Sequence, residues 1–513
     1  MSEDLVLGVD CSTTACKAIA WDATGQAQAE GRAPIDLQHP APDAWEQDAD
    51  QWWTAWVQAI RAAASALGER ARTIRALCVT HQRETFVLAD ERGAPLHPAV
   101  VWMDGRCTDQ VEQAIGQVGA ERLHDLSGKP PCTTPSLYKL LYLLAAKPEL
   151  AKARPRVLDV HAFVVWRATG RCATSLASAD PTGLVDMRAR AWSPELCALA
   201  GLDESQLPEL CEPGAVVGRL TAEVAESCGL PSGLPVIAGA GDGQAAGLGA
   251  GIAAPGRAYV NLGTAVVAGV LAREYCRDRA FRTLYGAAPG TFFCESDLKG
   301  GTFTLSWLVE RLLAPPERAG RSVDDLLADL EQRAGSVPAG SEGLVLVPYL
   351  HGVMNPYWDD DASGILVGLS GAHGSEHLYR AILEGIAFEQ RLALDAIADA
   401  TAPIEELVVL GGGAKSDLWC QILADVTGRP VVRARSHEAT ALGAGVLAAV
   451  AAGLYPHLNA AVSAMSHLGS RFTPSPRQAE YAELYDQVYR RLYPLLQTPL
   501  SRLAALRRSK VSD

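Results

Sequence analysis

The sequence of 513 residues lacks the marks of several large protein classes. None of its twelve cysteines forms a C-x-x-C pair, which argues against a zinc site or a dithiol redox centre. Its longest run of small and apolar residues, 441–455, is shorter than the roughly 20 residues of a membrane span and is typical of a buried helix. Basic residues are too few for a nucleic-acid binder, since 45 Lys and Arg face 59 Asp and Glu. The sequence therefore favours a small-molecule substrate, with no membrane and no nucleic-acid partner.

The amino-terminal residues MSEDLVLGVD also lack the basic and apolar regions of a secretory signal, so we expect a cytoplasmic protein with free thiols. What is present is the composition of an ordinary globular protein, 48% hydrophobic and 20% charged. At this length two domains of roughly 200 to 250 residues are expected. The oligomeric state is left open, with a homodimer as one option.

The hydrophobic pattern predicts an α/β protein that begins with a strand meander. The stretches LVLGVD, CKAIAWD and QAQAEG are predicted as three antiparallel strands, with the polar turn CSTTA between the first two. Apolar residues at three-to-four spacing predict an amphipathic helix over 48–67. Two more strands, ALCVT and TFVLAD, follow the helix and flank a polar stretch, His81-Gln-Arg-Glu84.

A second strand–turn–strand pattern appears at 258–272 and resembles the amino-terminal one. Before it, the strand LPVIAGAG runs into Asp242 and a helix of small residues, and strands alternate with helices from 343 to 453. We therefore predict an internal duplication, with one domain over 1–246, a second over 247–455 and a helical tail over 456–513. A ligand would lie in the cleft between the domains.

Hydroxyl and charged residues gather around the first turn. Thr13 and Thr14 offer hydroxyl and backbone N–H donors to phosphate oxygens, and Lys17 adds a positive charge. Asp10, at the end of the first strand, can organise a Mg²⁺ ion. Serine and threonine also suit ordinary turns, so a hairpin without a binding role is the alternative.

Asp242 lies between a strand and a helix in the stretch GAGDGQ. It is either a general base in a cleft, with glycines that let a substrate approach, or a helix N-cap. The same stretch imitates a dinucleotide-binding turn, but no Asp or Glu follows before Glu274 to bind a ribose, which disfavours NAD. The P-loop motif G-x-x-x-x-G-K-[ST] is absent from the sequence.

Two further stretches are candidate binding sites. Residues 411–413 are glycines that follow a strand and precede a helix, so bare backbone there, with Lys415, can lie against a nucleotide. Such turns also occur for packing reasons alone. Arg83 and Glu84 supply a donor and an acceptor for hydroxyl groups, and the alternative is the solvated edge of a hairpin.

The order of these motifs along the chain resembles that of the FGGY carbohydrate kinases. The C-terminal signature of that family is similar to Gly364-Ile-Leu-Val-Gly368-Leu369 followed by His377-Leu378 and Ala381-Ile382-Leu383-Glu384. PYWDDDASG and GGGAKSDLWCQILAD also look like family segments, and the resemblance covers about residues 5–455. It implies the two-domain, actin-like ATPase fold, which is ribonuclease H-like, with ATP and Mg²⁺ as cofactors and a small sugar or polyol as acceptor.

The resemblance also implies roles for the residues at matching positions. Asp242 resembles the catalytic base of the family, and Asp10 is similar to its metal ligand. The substrate-binding positions resemble Arg83, Glu84, Asp104 and Asp242. The phosphate- and nucleotide-binding positions resemble Thr13, Thr14, Lys17, Gly263, Thr264, Gly411, Gly412, Gly413 and Lys415.

The acceptor is harder to predict, because the chain resembles two subfamilies. The segments WMDGRC and SLASADPTGLVDMRARAWS look like xylulose kinases, whereas Gln82-Arg-Glu-Thr85 looks like the glycerol kinase loop. Because the xylulose-like segments span both domains, we predict D-xylulose as the acceptor and glycerol as the runner-up. A non-catalytic ATP-binding sensor on the same fold is the alternative from another class, and the presence of Asp242 with Arg83 and Glu84 favours an enzyme.

Overall fold

Two large β-sheets, one from each half of the chain, form the centre of the molecule. They are seen in a computed structural model that describes residues 3–313 and 320–511. The outer ends of the predicted first domain and tail, at residues 1 and 513, lie outside the described residues.

The first half begins with the predicted meander. Its strands are β1 (Leu5–Cys11), β2 (Ala15–Trp21), β3 (Ala27–Pro34), β4 (Gln38–Ala41), β5 (Ala44–Gln47), β6 (Ile74–His81), β7 (Phe86–Ala89), β8 (Ala99–Val100), β9 (Arg156–Asp159), β10 (Ala173–Ser175), β11 (Val185–Asp186), β12 (Ala191–Trp192), β13 (Glu209–Cys211), β14 (Val216–Arg219) and β15 (Pro235–Ile237). Its helices are α1 (Ala49–Leu67), α2 (Thr108–Val118), α3 (Ala120–Ser127), α4 (Ser136–Ala146), α5 (Pro148–Lys152), α6 (Val160–Thr169), α7 (Leu176–Ala179), α8 (Pro194–Leu199), α9 (Ala222–Cys228) and α10 (Asp242–Gly249).

The second half repeats the meander and then alternates strands with helices. Its strands are β16 (Arg257–Leu262), β17 (Val266–Ala272), β18 (Arg282–Tyr285), β19 (Phe292–Leu298), β20 (Val345–Val347), β21 (Ile365–Val367), β22 (Glu406–Leu410), β23 (Val431–Ala434) and β24 (Leu468–Phe472). Its helices are α11 (Thr302–Trp307), α12 (Val323–Ala334), α13 (Ser375–Ala400), α14 (Asp417–Thr427), α15 (Ala439–Ala451), α16 (Leu458–Met465), α17 (Gln478–Leu484) and α18 (Arg490–Val511). None of the helices in the described parts of the chain is both long and apolar enough to cross a membrane.

The two large sheets share one topology. The first has the strand order β14-β15-β6-β1-β2-β3, and the second has the order β18-β19-β17-β16-β22-β23-β24. In each, the first strand of an antiparallel meander pairs in parallel with the strand that follows the next long helix, β6 or β22. A further parallel strand and an antiparallel edge strand complete both sheets. The predicted internal duplication is confirmed by this topology.

The helix predicted over 48–67 is confirmed as α1, and the Asp48 side chain caps it by accepting a hydrogen bond from the N–H of Asp50. Two other expectations are wrong. β6 and β7 do not form a hairpin, because they belong to different sheets, so the stretch between them is not a solvated hairpin edge. The tail is not purely helical, because β24 pairs with β23 and extends the second sheet.

Helices α10 and α15 follow equivalent strands of the two sheets and pack against each other. This contact is reciprocal: a Cβ on Gly249 would lie 1.9 Å from the carbonyl oxygen of Ala439, and one on Gly443 would lie 1.9 Å from that of Ala245. Only glycine permits backbones to approach so closely. Because residue 246, the predicted domain boundary, lies inside α10, we propose to draw the division after that helix instead.

Tyrosines of the tail fix it to helix α13 through buried carboxylates. The hydroxyl of Tyr481 donates to Glu384 at 2.7 Å, and that of Tyr489 donates to Glu389 at 2.7 Å. The other oxygen of Glu389 accepts a hydrogen bond from Tyr349 at 2.9 Å. Burial raises the pKa of Glu389 from 4.5 to about 7, although the two tyrosine hydroxyls act in the opposite direction.

Glu389→Gln should therefore change how stability depends on pH. Since the folded-state pKa lies above the unfolded value, the folded protein binds the proton more tightly, and the free energy of unfolding falls as pH rises from about 4.5 to about 7. The loss from this group is on the order of 3 kcal/mol. Glutamine resembles the protonated acid and escapes the loss, so the variant should melt above the wild type at pH 8, with the gap closing toward pH 4.5. A melting-temperature difference that is independent of pH would contradict this assignment.

Candidate active site

Three neighbouring parallel strands, β15, β6 and β1, end at the same edge of the first sheet. Asp10 pairs with Thr80 across β1 and β6, and His81 forms a bridge to Gly241. The hairpin after β1, the stretch 81–84 after β6 and Asp242 after β15 are therefore adjacent. Ligands of open α/β sheets bind beyond the carboxyl ends of the strands, so this edge is the expected site.

Asp242 is the first residue of α10, and Gly241 is the N-cap, so the N-cap interpretation of Asp242 is wrong. Its Oδ1 accepts a hydrogen bond from the N–H of Gly243 at 2.8 Å and lies 2.9 Å from Nε of Arg83. Oδ2 has no hydrogen bond to any residue that the structure describes, and the side chain is 42% exposed. One oxygen of the carboxylate is thus fixed and the other is free for a ligand.

Arg83 and Glu84 lie inside a buried chain of charges. Nη1 of Arg83 donates to both oxygens of Glu295 at 2.9 and 3.0 Å. Nε of Arg282 donates to the same carboxylate at 2.9 Å, and Nη1 of Arg282 donates to Glu84 at 3.1 Å. With Asp242 on the outer side of Arg83, three carboxylates alternate with two guanidinium groups.

The charges hold one another ionised in spite of burial. Burial alone would lower the pKa of Arg83, but Glu295, then Asp242 and Glu84, raise it well above its ordinary value. Burial alone would raise the pKa of Glu295, but Arg83 and Arg282 keep it below its ordinary value. Each charge therefore depends on its neighbours, and removing one would leave another buried without a partner.

Sequence reasoning did not find Glu295 or Arg282, which lie on β19 and β18 of the second sheet. A signal for Glu295 was present, because it stands in an otherwise hydrophobic strand and a buried carboxylate has to be paired. Its partner could not be read from the sequence, since Arg83 lies 212 positions away.

Asp104 has a structural environment. It is 1% exposed, its Oδ2 accepts from the N–H of Trp45 at 3.0 Å, and both of its oxygens accept from Nε of Arg106. A direct contact between Asp104 and substrate stays a prediction, which this geometry does not favour. The adjacent Trp102 is 42% exposed and donates from Nε1 to Oγ1 of Thr13 at 3.0 Å, so it is this residue of the segment that reaches the first hairpin.

The first hairpin has features suited to a phosphate and a cation. Thr14 is exposed, and Lys17 forms an ion pair with Glu438 from the second half at 2.6 Å. Oδ1 of Asp10 is buried without a hydrogen-bond partner among the described residues, and burial, then the charge of Asp242, raises the pKa of Asp10 to about 8. A cation would satisfy that oxygen. No group of three or more His, Cys, Asp or Glu in the described chain could hold a metal, but Mg²⁺ commonly binds one or two carboxylates plus phosphate oxygens and water.

The second sheet presents two turns at one edge. β16 and β22 are parallel neighbours, with Asn261 opposite Leu410, so the Gly263-Thr264 turn lies beside the turn at Gly411, which has a φ of +87°. Thr264, Gly412 and Lys415 are exposed there, and Gly413 is buried. The turn leads into α14, whose N-cap is Ser416. The geometry offers bare backbone and a lysine to an anionic ligand, as predicted for the nucleotide.

Two duplicated α/β halves, each with a hydroxyl-bearing hairpin at the carboxyl edge of its sheet, define the actin-like ATPase fold, so the predicted fold is confirmed. Residues 5–249 match the N-terminal domain of the FGGY family of carbohydrate kinases and residues 258–452 match its C-terminal domain. The chain belongs to this family and is an ATP-dependent kinase of a small sugar or polyol.

Relatives with different acceptors resemble the chain to a similar degree. Xylulose kinase from Bacillus subtilis is 29% identical over 95% of this chain and 96% of its own. Glycerol kinase from Citrifermentans bemidjiense is 32% identical over 94% of this chain and 97% of its own. The crystal structure of xylulose kinase from Rhodospirillum rubrum has a TM-score of 0.89 at 31% identity and covers 97% of this chain and 99% of that one.

Gly243→Ala should disturb the charged chain directly. A Cβ at this position would lie 2.6 Å from Oε2 of Glu295 and 3.0 Å from Nη2 of Arg83, so one of these groups has to move. Overpacking of this kind costs about 1 to 3 kcal/mol, which exceeds the gain of about 1 kcal/mol that alanine brings to a helix. We expect a lower melting temperature.

Gly116→Ala is the matched control, because this glycine also lies in a helix and a Cβ there would meet nothing within 4 Å. That variant should be as stable as the wild type or slightly more so. If both variants are stabilised, the close approach at Gly243 is not real.

Proposed function

We propose that the protein transfers the γ-phosphoryl group of ATP to a hydroxyl of D-xylulose, giving D-xylulose 5-phosphate, with Asp242 as the general base. The observation that carries the proposal is the state of the Asp242 carboxylate: Oδ1 is held by Gly243 and Arg83, while Oδ2 is free of hydrogen bonds within the described residues. A general base needs a fixed position and an oxygen within reach of the reacting hydroxyl. Arg83 and Glu84, beside it, supply a donor and an acceptor for the other hydroxyls of the sugar.

In this mechanism Oδ2 of Asp242 accepts the proton of the attacking hydroxyl. Arg83 keeps the carboxylate oriented through the 2.9 Å ion pair between Nε and Oδ1. Thr13, Thr14 and Lys17 of the first hairpin, together with Gly263 and Thr264 of the second, would hold the phosphates. Lys17 would then share its charge between Glu438 and a phosphate oxygen.

The remaining assignments concern ATP and the cation. Gly411, Gly412, Gly413 and Lys415 would bind the nucleotide at the edge of the second sheet. Asp10 would hold Mg²⁺, since its buried Oδ1 lacks a partner in the described chain. When bound, the ion supplies positive charge that stabilises the transferring phosphoryl group. A cytoplasmic location stays a prediction.

The shape of the region near Glu84 favours a five-carbon acceptor over glycerol. A cavity of about 180 Å³ lies between the two halves and is lined by Cys132, Thr133 and Thr134 from the first and by Trp358 from the second. Lys139 donates to the carbonyl of Thr133 at 3.0 Å and is close enough to Glu84 for that charge to raise its pKa, which places this loop beside Glu84. Small side chains in the loop leave room for a longer sugar chain. Glycerol remains the alternative because of the loop Gln82–Thr85.

A panel of acceptors tests this choice. Each sugar hydroxyl that is lost leaves a buried polar group unpaired, at a cost of about 1 to 3 kcal/mol, so kcat/KM for D-xylulose should exceed that for glycerol by tenfold or more. D-ribulose, L-xylulose and erythritol complete the panel, and each reaction should need Mg²⁺. If glycerol is preferred by tenfold, the loop Gln82–Thr85 and not the rest of the chain determines the acceptor.

Asp242→Asn tests the general base. The amide keeps the size and the anchoring oxygen but accepts no proton, so kcat should fall by about a hundredfold or more while the melting temperature changes little. Turnover close to that of the wild type would remove Asp242 from this role. A wild-type protein whose melting temperature rises with ATP but which phosphorylates none of the acceptors would support the ATP-binding sensor instead.

A further inference from the structure

A buried carboxylate from the second half of the chain holds an arginine from the first. Glu295 is 0% exposed, and besides its two bonds from Arg83 its Oε1 lies 2.7 Å from Nη2 of Arg282. Oε2 also accepts a hydrogen bond from Tyr259 at 3.3 Å. Every direction around this carboxylate is therefore occupied by a donor, and the guanidinium of Arg83 has one defined orientation.

Arg282 extends the same order to Glu84. Its Nη1 donates to Oε1 of Glu84 at 3.1 Å, while its Nε and Nη2 remain on Glu295. Glu84 has a φ of 51°, a left-handed conformation that is unfavourable for a residue with a side chain. Such conformations persist at functional sites where the surroundings hold them, and the bond from Arg282 is part of that support.

The contacts leave one donor and one acceptor unused. In the parts of the chain that the structure describes, Nη2 of Arg83 and Oε2 of Glu84 have no hydrogen-bond partner, although both side chains are mostly buried. A sugar hydroxyl both donates and accepts, so adjacent hydroxyls can bind these two atoms together. The spacing between the two atoms is fixed by groups that do not themselves face the sugar.

We propose that Glu295 and Arg282 are positioning residues of the acceptor site. Glu295 orients the guanidinium of Arg83, Arg282 orients the carboxylate of Glu84, and the pair thereby selects acceptors with two adjacent hydroxyls. The inference rests on the proposed function in taking Arg83 and Glu84 as the acceptor ligands. Because the positioning residues belong to the second sheet and the ligands to the first, acceptor binding depends on the relative position of the two halves.

Glu295→Gln tests the proposal, since it keeps the size of the side chain and removes the charge. The KM for D-xylulose, or for glycerol if that is the better acceptor, should rise tenfold or more, while the KM for ATP should stay within twofold of the wild type. Arg282→Lys keeps the charge but cannot bind Glu295 and Glu84 together, so it should show the same split to a smaller degree. An acceptor KM that is unchanged in a folded Glu295→Gln variant overturns the proposal, as does an equal rise for both substrates.

Glu384→Gln is the matched control for the effect of losing a buried charge. Glu384 is a buried carboxylate that accepts from Nε of Arg380 at 2.8 Å and from the hydroxyl of Tyr481 at 2.7 Å, in the contact between α13 and the tail. This variant should lose stability without a change in the KM for the acceptor. If it raises that KM as much as Glu295→Gln does, the effect is general destabilisation and the proposal is wrong.

A double-mutant cycle separates positioning from a structural role. In an Arg83→Ala background the group that Glu295 orients is absent, so adding Glu295→Gln should raise the acceptor KM less than twofold further. Multiplication of the two single effects would overturn the proposal.

Crystal structures decide the inference even if the wild type phosphorylates none of these acceptors, a result that would count against the proposed function alone. Removing the charge of Glu295 should release the guanidinium of Arg83 from its place between Asp242 and Glu295. An Arg83 side chain that stays in place in the Glu295→Gln variant overturns the proposal.

Discussion

The ion pair between Arg83 and Glu295 is the interaction on which the site depends. Both groups are buried, and a buried charge is tolerated only when an opposite charge and hydrogen bonds compensate for the lost water. Since Arg83 comes from the first sheet and Glu295 from the second, this requirement ties the halves together at the base of the cleft. It also fixes Asp242, which lies on the other side of the same guanidinium. Glycines 241 and 243 are part of this arrangement, because a Cβ on either would collide with Arg83 or Glu295.

The duplicated topology explains why the site has these parts in this order. Each half contributes the carboxyl edge of a parallel strand pair, and each edge carries a hairpin or a glycine turn with exposed backbone. The first edge adds the charged residues that grip an acceptor, and the second adds the turns suited to a nucleotide. Chemistry between two ligands therefore follows from two copies of one fold that face each other, with the specific residues added separately to each copy.

Much of the fold could be predicted from the sequence, because local hydrophobic periods set the strands and helices and the repeated strand–turn–strand pattern marked the duplication. Asp242, Arg83 and Glu84 could be found as a group only through the family resemblance, since each is ambiguous by itself. Glu295 and Arg282 were missed because their role depends on partners that are distant in sequence. The burial of Asp104 was missed for a similar reason: the bond from the N–H of Trp45 is invisible until the loop is folded.

The crossing of α10 and α15 has a mechanical meaning. Where side chains interlock, two bodies can shift only by changing rotamers, and each change meets a barrier. At Gly249 and Gly443 the contact is backbone against backbone, so there are no rotamers to change. A pivot made in this way offers little friction and almost no compliance: the two halves of the kinase would turn as rigid levers about it, and a small rotation there would become a large displacement at the mouth of the cleft.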